Sequence, residues 1–252
     1  MGARVSRVRV GTSGYLYRHW RSVFYPPRLA QEGWLPYYAR FFDTVELNAT
    51  FYRLPAPEAV DRWRDLVPEQ FVFAVKGSRY LTHMKRLLDA GEGLRRFFGP
   101  VSRLGPKLGP TLWQLPPYLR PDTARLDLFL ARLPPGRHAV EFRDQGWYSE
   151  ETCGVLDRHA AAFCEHDQIG RPPPRLTGGW RYLRFHGAAA RYAGRYGAAS
   201  LRPVAEDLLA WGRRGRIAHV YFNNDADGHA VRDALDLLAL LGEERPGLEA
   251  RS

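Results

Sequence analysis

Acidic, basic and amide side chains stand at the ends of short apolar runs in this sequence, where they could bind and transform a ligand. The candidate catalytic residues are Glu46, Lys76, Glu141 and His186. Carboxylates and imidazoles can move protons, whereas ammonium and guanidinium groups bind phosphate or carboxylate. The candidate substrate-binding residues are Asn48, Gln114, Arg143, Asp167, Arg184, Asn223 and Asn224, with Tyr15, Tyr192 and Tyr196 as ring-stacking partners.

Three pairs of these residues have the spacing of a β-strand, in which every second side chain faces the same side. The pairs are Glu46 with Asn48, Glu141 with Arg143, and Arg184 with His186. Lys76 is one of three lysines among 37 basic residues, which suggests that a compact ammonium is needed there. The structural alternative is that the carboxylates and guanidinium groups form ion pairs which only stabilise the fold.

The elements that must position these residues alternate between strands and helices. Strands are predicted at residues 5–11, 44–47, 71–75, 110–115, 138–142, 161–164, 181–185 and 217–222. Helices are predicted at residues 31–42, 57–66, 81–98, 122–133, 149–159, 200–213 and 227–241. The Pro- and Gly-rich residues 170–179 predict a loop in place of the helix after strand six.

Eight strand–helix units predict an α/β fold, specifically a TIM-type (β/α)₈ barrel whose ligand site lies at the carboxyl ends of the strands. We expect a single domain over residues 1–242 and a disordered tail over residues 243–252. A doubly wound open sheet is the alternative architecture. The sequence has no G-x-G-x-x-G after the first strand and no P-loop motif, which disfavours dinucleotide-binding and P-loop folds.

The amino-acid composition limits the classes of binding partner and the cellular compartment that we expect for this protein. The net charge of +10 would suit nucleic acid, but 34 of the basic residues are Arg, and Lys, Ile and Asn are all scarce. That bias suggests a GC-rich coding background rather than a binding patch. No stretch is long and apolar enough to span a membrane, and we expect no cleaved leader. Cys153 and Cys164 lack disulfide or metal spacing, so we predict a cytoplasmic protein.

Several motifs resemble the YecE-like proteins, known as domain of unknown function 72 (DUF72). They are GTSGY at residues 11–15, TVELNATFY at 44–52, FVFAVK at 71–76, WQLPP at 113–117, AVEFR at 139–143, YLRFHG at 182–187 and YFNN at 221–224. The resemblance implies a TIM-type barrel similar to that of the endonuclease IV class of DNA-repair enzymes. Those enzymes hold a zinc cluster with many His and acidic ligands. Here the strand ends offer only His186, His166, Glu46, Glu141 and Asp167.

The sequence therefore leaves several functions open. The first hypothesis is a metal-independent enzyme, such as a hydrolase or lyase, that acts on a small anionic ligand without a cofactor. The alternative is a protein that binds or processes nucleic acid without the zinc cluster. Glycoside hydrolysis by Glu46 and Glu141, and binding without chemistry, are further possibilities. A single divalent ion on Glu46, Glu141, Asp167 and His186 stays open. The sequence does not predict an oligomeric state.

Overall fold

Short buried strands alternate with helices along the computed structural model, which describes residues 8–188, 192–243 and 245. The strands are β1 (Val8–Thr12), β2 (Thr44–Leu47), β3 (Val72–Lys76), β4 (Leu108–Gln114), β5 (His138–Glu141), β6 (Ala162–Phe163), β7 (Glu165–His166), β8 (Arg181–Phe185) and β9 (Ala218–Phe222). The helices are α1 (Trp34–Tyr38), α2 (Ala49–Tyr52), α3 (Pro57–Asp65), α4 (Ala90–Val101), α5 (Thr123–Leu130), α6 (Glu150–Arg158), α7 (Gly197–Arg213) and α8 (His229–Leu240).

The chain packs as two compact units, one of which comprises Glu46–Arg184. In this unit the strand order is β2-β3-β4-β5-β6, and the pairings β3–β4, β4–β5 and β5–β6 are parallel. β7 pairs in parallel with β8, so that His166 lies opposite Arg184. The strand residues are almost all buried, as expected for parallel strands with both faces covered. The predicted α/β class with parallel strands is confirmed, whereas the single domain over residues 1–242 stays a prediction.

The other unit contains the residues up to Val45 and those from Phe185 onward. Its strands β1 and β9 are parallel, with Val8 opposite Ala218, and α7 and α8 pack on each other. Four aromatic residues that follow β1 are buried, namely Tyr15, Trp20, Phe24 and Tyr25. The rings of Tyr25 and Trp34 stack with their centroids 4.6 Å apart. These aromatics therefore form a packed apolar core.

Several local sequence signals are confirmed. The Asp122 carboxylate accepts a hydrogen bond from the Arg125 N–H and caps α5, and the Ser149 hydroxyl does the same for Thr152 at the start of α6. The segment of residues 170–179, predicted as a loop, contains no helix. Among the described residues, no helix is long and apolar enough to cross a bilayer.

Other element boundaries were predicted wrongly. The helix predicted at residues 31–42 is a 3₁₀ turn followed by the five-residue α1. The strand predicted at 161–164 is only the two-residue β6, and the separate strand β7 follows it. The helix predicted at 81–98 is replaced by a π-helical turn, Tyr80–Met84, then by backbone with positive φ, and α4 begins only at Ala90. Residues 5–7 of the first predicted strand and most of the predicted tail at 243–252 lie outside the described residues.

Candidate functional site

A buried guanidinium joins two of the predicted catalytic carboxylates at the carboxyl ends of the strands. Arg184 Nη2 donates to Glu46 Oε1 at 2.8 Å, and Arg184 Nη1 donates to Glu141 Oε2 at 2.6 Å. All three side chains are fully buried. Charges removed from water in this way must be paired, so Glu46 and Glu141 act first of all as partners of Arg184.

Strand alternation adds a second partner to each carboxylate. The Tyr182 hydroxyl, two residues before Arg184, donates to Glu46 Oε2 at 2.6 Å. Arg143, two residues after Glu141, donates from Nε to Glu141 Oε1. Two guanidinium groups thus face two carboxylates, and this network balances its own charge.

Burial and the charges of this network shift the pKa values of Arg184 and of the neighbouring Cys164. Burial alone would lower the pKa of Arg184, but the carboxylates of Glu46 and Glu141 raise it well above the usual value. Burial, reinforced by Glu141, raises the pKa of the Cys164 thiol well above its usual value. Cys164 is therefore a buried neutral thiol beside the network and not a thiolate nucleophile.

Lys76 lies at the end of β3 and is only 8% exposed. The Thr50 hydroxyl donates to the Lys76 carbonyl at 2.7 Å, and the Lys76 Nζ lies 4.4 Å from the centroid of the Phe51 ring. Gly77 follows because any Cβ there would overlap Trp113. Within the part of the chain that the structure describes, no carboxylate or carbonyl pairs with the Lys76 ammonium. Burial, followed by repulsion from Arg184, lowers its pKa to about 8.

His83 is a further candidate beside Lys76 that was not among the predicted site residues. Its half-buried ring meets the edge of Phe51 at a centroid distance of 5.1 Å, and its Nδ1 lies 2.9 Å from the Thr82 hydroxyl. Burial, with repulsion from Lys76, Arg79 and Arg143, lowers the pKa of His83 to about 4. The imidazole is therefore neutral near pH 7, but its low pKa makes it a weak base.

The remaining candidates of this unit have different surroundings. Asn48 and Gln114 are half-buried at the ends of β2 and β4. Asp167 is exposed and begins a 3₁₀ turn, Asp167–Ile169. His166 Nε2 lies 2.8 Å from the Phe142 carbonyl, and its Nδ1 accepts a hydrogen bond from the Gln168 N–H at 3.3 Å. Both ring nitrogens of His166 are thus engaged by the backbone, which does not favour a ligand role.

In the other unit, the predicted site residue Asn224 takes part in hydrogen bonds that fix the start of α7. The Asn224 amide donates to the Gly194 carbonyl and to Asp233, each at 2.8 Å. Asp233 in turn accepts from the N–H groups of Tyr196 and Gly197, where α7 begins. Asn224 is fully buried, and its amide nitrogen holds the backbone here, whereas its Oδ1 has no hydrogen-bond partner among the described residues; its ligand-binding role stays a prediction.

Four more predicted residues belong to that unit. Tyr15 is 5% exposed, and its carbonyl accepts from the Tyr25 hydroxyl. His186 is 1% exposed, and its ring centroid lies 6.0 Å from that of Tyr192. The Asn223 N–H donates to the Phe185 carbonyl at 2.7 Å. Among the described residues, no group of three or more His, Cys, Asp and Glu side chains could hold a metal ion.

Comparison with known proteins shows the family to which this chain is similar. The family model described as "Protein of unknown function DUF72" matches residues 9–252. The chain is 27% identical to the UPF0759 protein YunF of Bacillus subtilis, with 90% of this chain and 93% of YunF covered. It is 34% identical to the UPF0759 protein YecE of Escherichia coli, with 45% of this chain and 42% of YecE covered.

Solved structures agree with this assignment. The crystal structure of a DUF72 family protein (TM1631) from Thermotoga maritima is 30% identical, with a TM-score of 0.83 over 94% of this chain and 99% of that one. A DUF72 family protein (EF0366) from Enterococcus faecalis is 21% identical and shares the fold, with a TM-score of 0.81 over 97% of this chain and 99% of that one. The chain therefore belongs to the DUF72 family.

Proposed function

We propose that the Glu46–Arg184 unit binds a small anionic ligand, bearing a phosphate or a carboxylate, at the ammonium of Lys76. The observation that carries the proposal is a lysine that is only 8% exposed and to whose ammonium the described residues offer no hydrogen-bond acceptor. A buried cation without a partner is costly. A ligand oxygen at hydrogen-bond distance from Nζ would supply the missing partner.

The surrounding charges support an anion over a neutral ligand. Arg143 and Arg184 balance Glu46 and Glu141, so the Lys76 charge is left over. The low pKa of His83, to which Lys76, Arg79 and Arg143 contribute after burial, indicates a positive potential in the same region. An anion bound there would be attracted by this field, which acts strongly in a poorly hydrated site.

The roles of the predicted catalytic residues change in this proposal. Glu46 and Glu141 are positioning residues that hold Arg184, and His83 takes the place of a proton acceptor. Because Arg184 bridges the two carboxylates, the space between them is taken by its guanidinium group, which disfavours the glycosidase alternative. Asn48 and Gln114 are proposed to orient the ligand. We place this site at the carboxyl ends of strands in TIM-type (β/α)₈ order, as predicted from the sequence.

Anion binding to matched lysine variants tests the proposal. Calorimetric titration with phosphate and with oxalate, at constant ionic strength, is expected to show binding to the wild type and none to Lys76→Met. Lys85→Met is the control, because Lys85 forms an exposed ion pair with Asp89 at 3.9 Å. The affinity should fall as the pH rises through about 8, where Lys76 loses its charge. Wild-type affinity in Lys76→Met would overturn the proposal.

Exposed aromatic side chains next to this site favour nucleic acid as a second candidate ligand. Tyr52 and Tyr118 are 79% and 58% exposed, and the Arg86 guanidinium lies 5.8 Å from the Tyr118 ring centroid. Bases stack on such rings while cations contact the phosphates. Tyr118→Ala should weaken binding of a single-stranded oligonucleotide at least tenfold, with a steep salt dependence in the wild type. Equal affinity of the two proteins would exclude this candidate.

A further inference from the structure

The surroundings of Lys76 make its free amine far more accessible than that of an ordinary lysine. Its Nζ contacts the face of Phe51 at 4.4 Å, and no acceptor among the described residues forms a hydrogen bond with it. The guanidinium groups of Arg184 and Arg143 repel a further positive charge. Burial beside another cationic group is the usual way in which a protein makes a lysine nucleophilic. The 8% of the residue that stays exposed leaves an approach for a small molecule.

We propose that Lys76 is a covalent nucleophile that forms an iminium with an anionic aldehyde or ketone, such as a 2-oxo acid or a phosphorylated carbonyl compound. This inference rests on the proposed function, because the anionic group is what brings the carbonyl carbon to Nζ. It narrows the ligand class from any small anion to one that also carries a carbonyl group.

Formation of the iminium needs no oxidant, reductant or metal. The Nζ lone pair of the free amine attacks the carbonyl carbon, and the C=O π electrons move to oxygen, which gives a carbinolamine. The carbinolamine oxygen then leaves as water while the C=N bond forms. Starting from the ammonium, two of its three protons leave in that water, and the iminium keeps the positive charge. His83, a neutral and weakly basic imidazole packed against the same Phe51 ring, can relay a proton during this transfer.

Reductive trapping tests the proposal directly, because the chain has only three lysines. Glyoxylate, an anionic aldehyde, is incubated with the intact protein and sodium cyanoborohydride, and the modified lysine is located by peptide mass spectrometry. At pH 7.5 a lysine with a pKa of about 8 has on the order of 100-fold more free amine than an ordinary lysine. Lys76 should therefore be modified at least tenfold faster than Lys85 or Lys107. Lys76→Arg should remove this label, and Lys85→Arg should leave it unchanged.

Two further probes separate the covalent step from anion binding. Propionaldehyde is a neutral aldehyde, and oxalate is an anion without an aldehyde group. If oxalate binds the wild type but glyoxylate labels Lys76 no faster than Lys85, the covalent proposal is wrong and the anion site stands. If Lys76 is labelled rapidly by both aldehydes while oxalate does not bind, Lys76 is a nucleophile, but the anion function and the proposed preference for an anionic carbonyl compound are both wrong. Protection of Lys76 from glyoxylate by oxalate would support both.

Discussion

Replacing Lys76 by Met should make the protein more stable at neutral pH. The pKa of Lys76 lies at about 8 in the folded protein, against an ordinary value of 10.5. A pKa difference of one corresponds to ~1.4 kcal/mol, so the folded state disfavours the ammonium by about 3 kcal/mol. Met has a similar length and no charge, so the variant should gain about that free energy of unfolding at pH 7.

The gain should depend on pH in a defined way. Between pH 8 and 10.5 the unfolded chain binds more protons at Lys76 than the folded chain does, so the wild-type free energy of unfolding rises with pH. Below pH 8 the folded state carries the full free-energy cost of the buried ammonium, and above pH 10.5 Lys76 is neutral in both the folded and the unfolded chain. The difference between Lys76→Met and the wild type should therefore shrink to near zero by about pH 10.5.

Guanidinium chloride denaturation at several pH values measures this difference. Lys107→Met is the matched control, because the Lys107 ammonium donates to the carbonyls of Arg64 at 2.5 Å and Val67 at 2.7 Å. Removing those two hydrogen bonds should destabilise the protein by about 1–3 kcal/mol. A Lys76→Met variant that is less stable than the wild type at pH 7, or whose gain does not change with pH, would refute the reasoning.

Three further predictions concern the buried polar groups. Arg184→Met leaves two buried carboxylates without their shared partner and should cost about 3–5 kcal/mol in denaturation measurements; an unchanged midpoint would contradict the buried pairing. Asp233→Ala removes the acceptor of three donors and should cost about 2–4 kcal/mol by the same assay, against less than about 0.5 kcal/mol for the exposed Asp89→Ala. Burial raises the pKa of both Cys153 and Cys164, so neither thiol should react with a thiol reagent until the chain unfolds; rapid labelling of the native protein would show that the thiols are accessible.

Strand alternation predicts which side chains share a face, and this part of the site was accessible from the sequence. The pairing of Glu141 with Arg143 follows from that spacing, and the strand-end position of Lys76 from the apolar run before it. Tyr182 was missed, although it stands two residues before Arg184 on the same face. The partner that each side chain selects depends on the register of neighbouring strands, which the local sequence does not encode.

His83 was missed for a different reason. The segment after β3 has the composition of a helix, and the sequence predicts one over residues 81–98. Instead, the Lys85 N–H bonds the Tyr80 carbonyl in a π-helical turn, and Arg86, Leu87 and Asp89 adopt positive φ. Such backbone is unfavourable for these residue types and persists only when tertiary contacts hold it. Here it places His83 against Phe51, beside Lys76.

Arg184 and Lys76 differ in whether the fold compensates for the charge that it buries. Both are buried cations at strand ends, but Arg184 has two carboxylate partners within the unit, which makes its charge favourable. The Lys76 charge destabilises the folded state, because no described acceptor compensates for its burial. Residues that oppose stability in this way concentrate at functional sites. A ligand that supplies an anion, or that consumes the free amine, removes the penalty, so binding at Lys76 should also stabilise the fold.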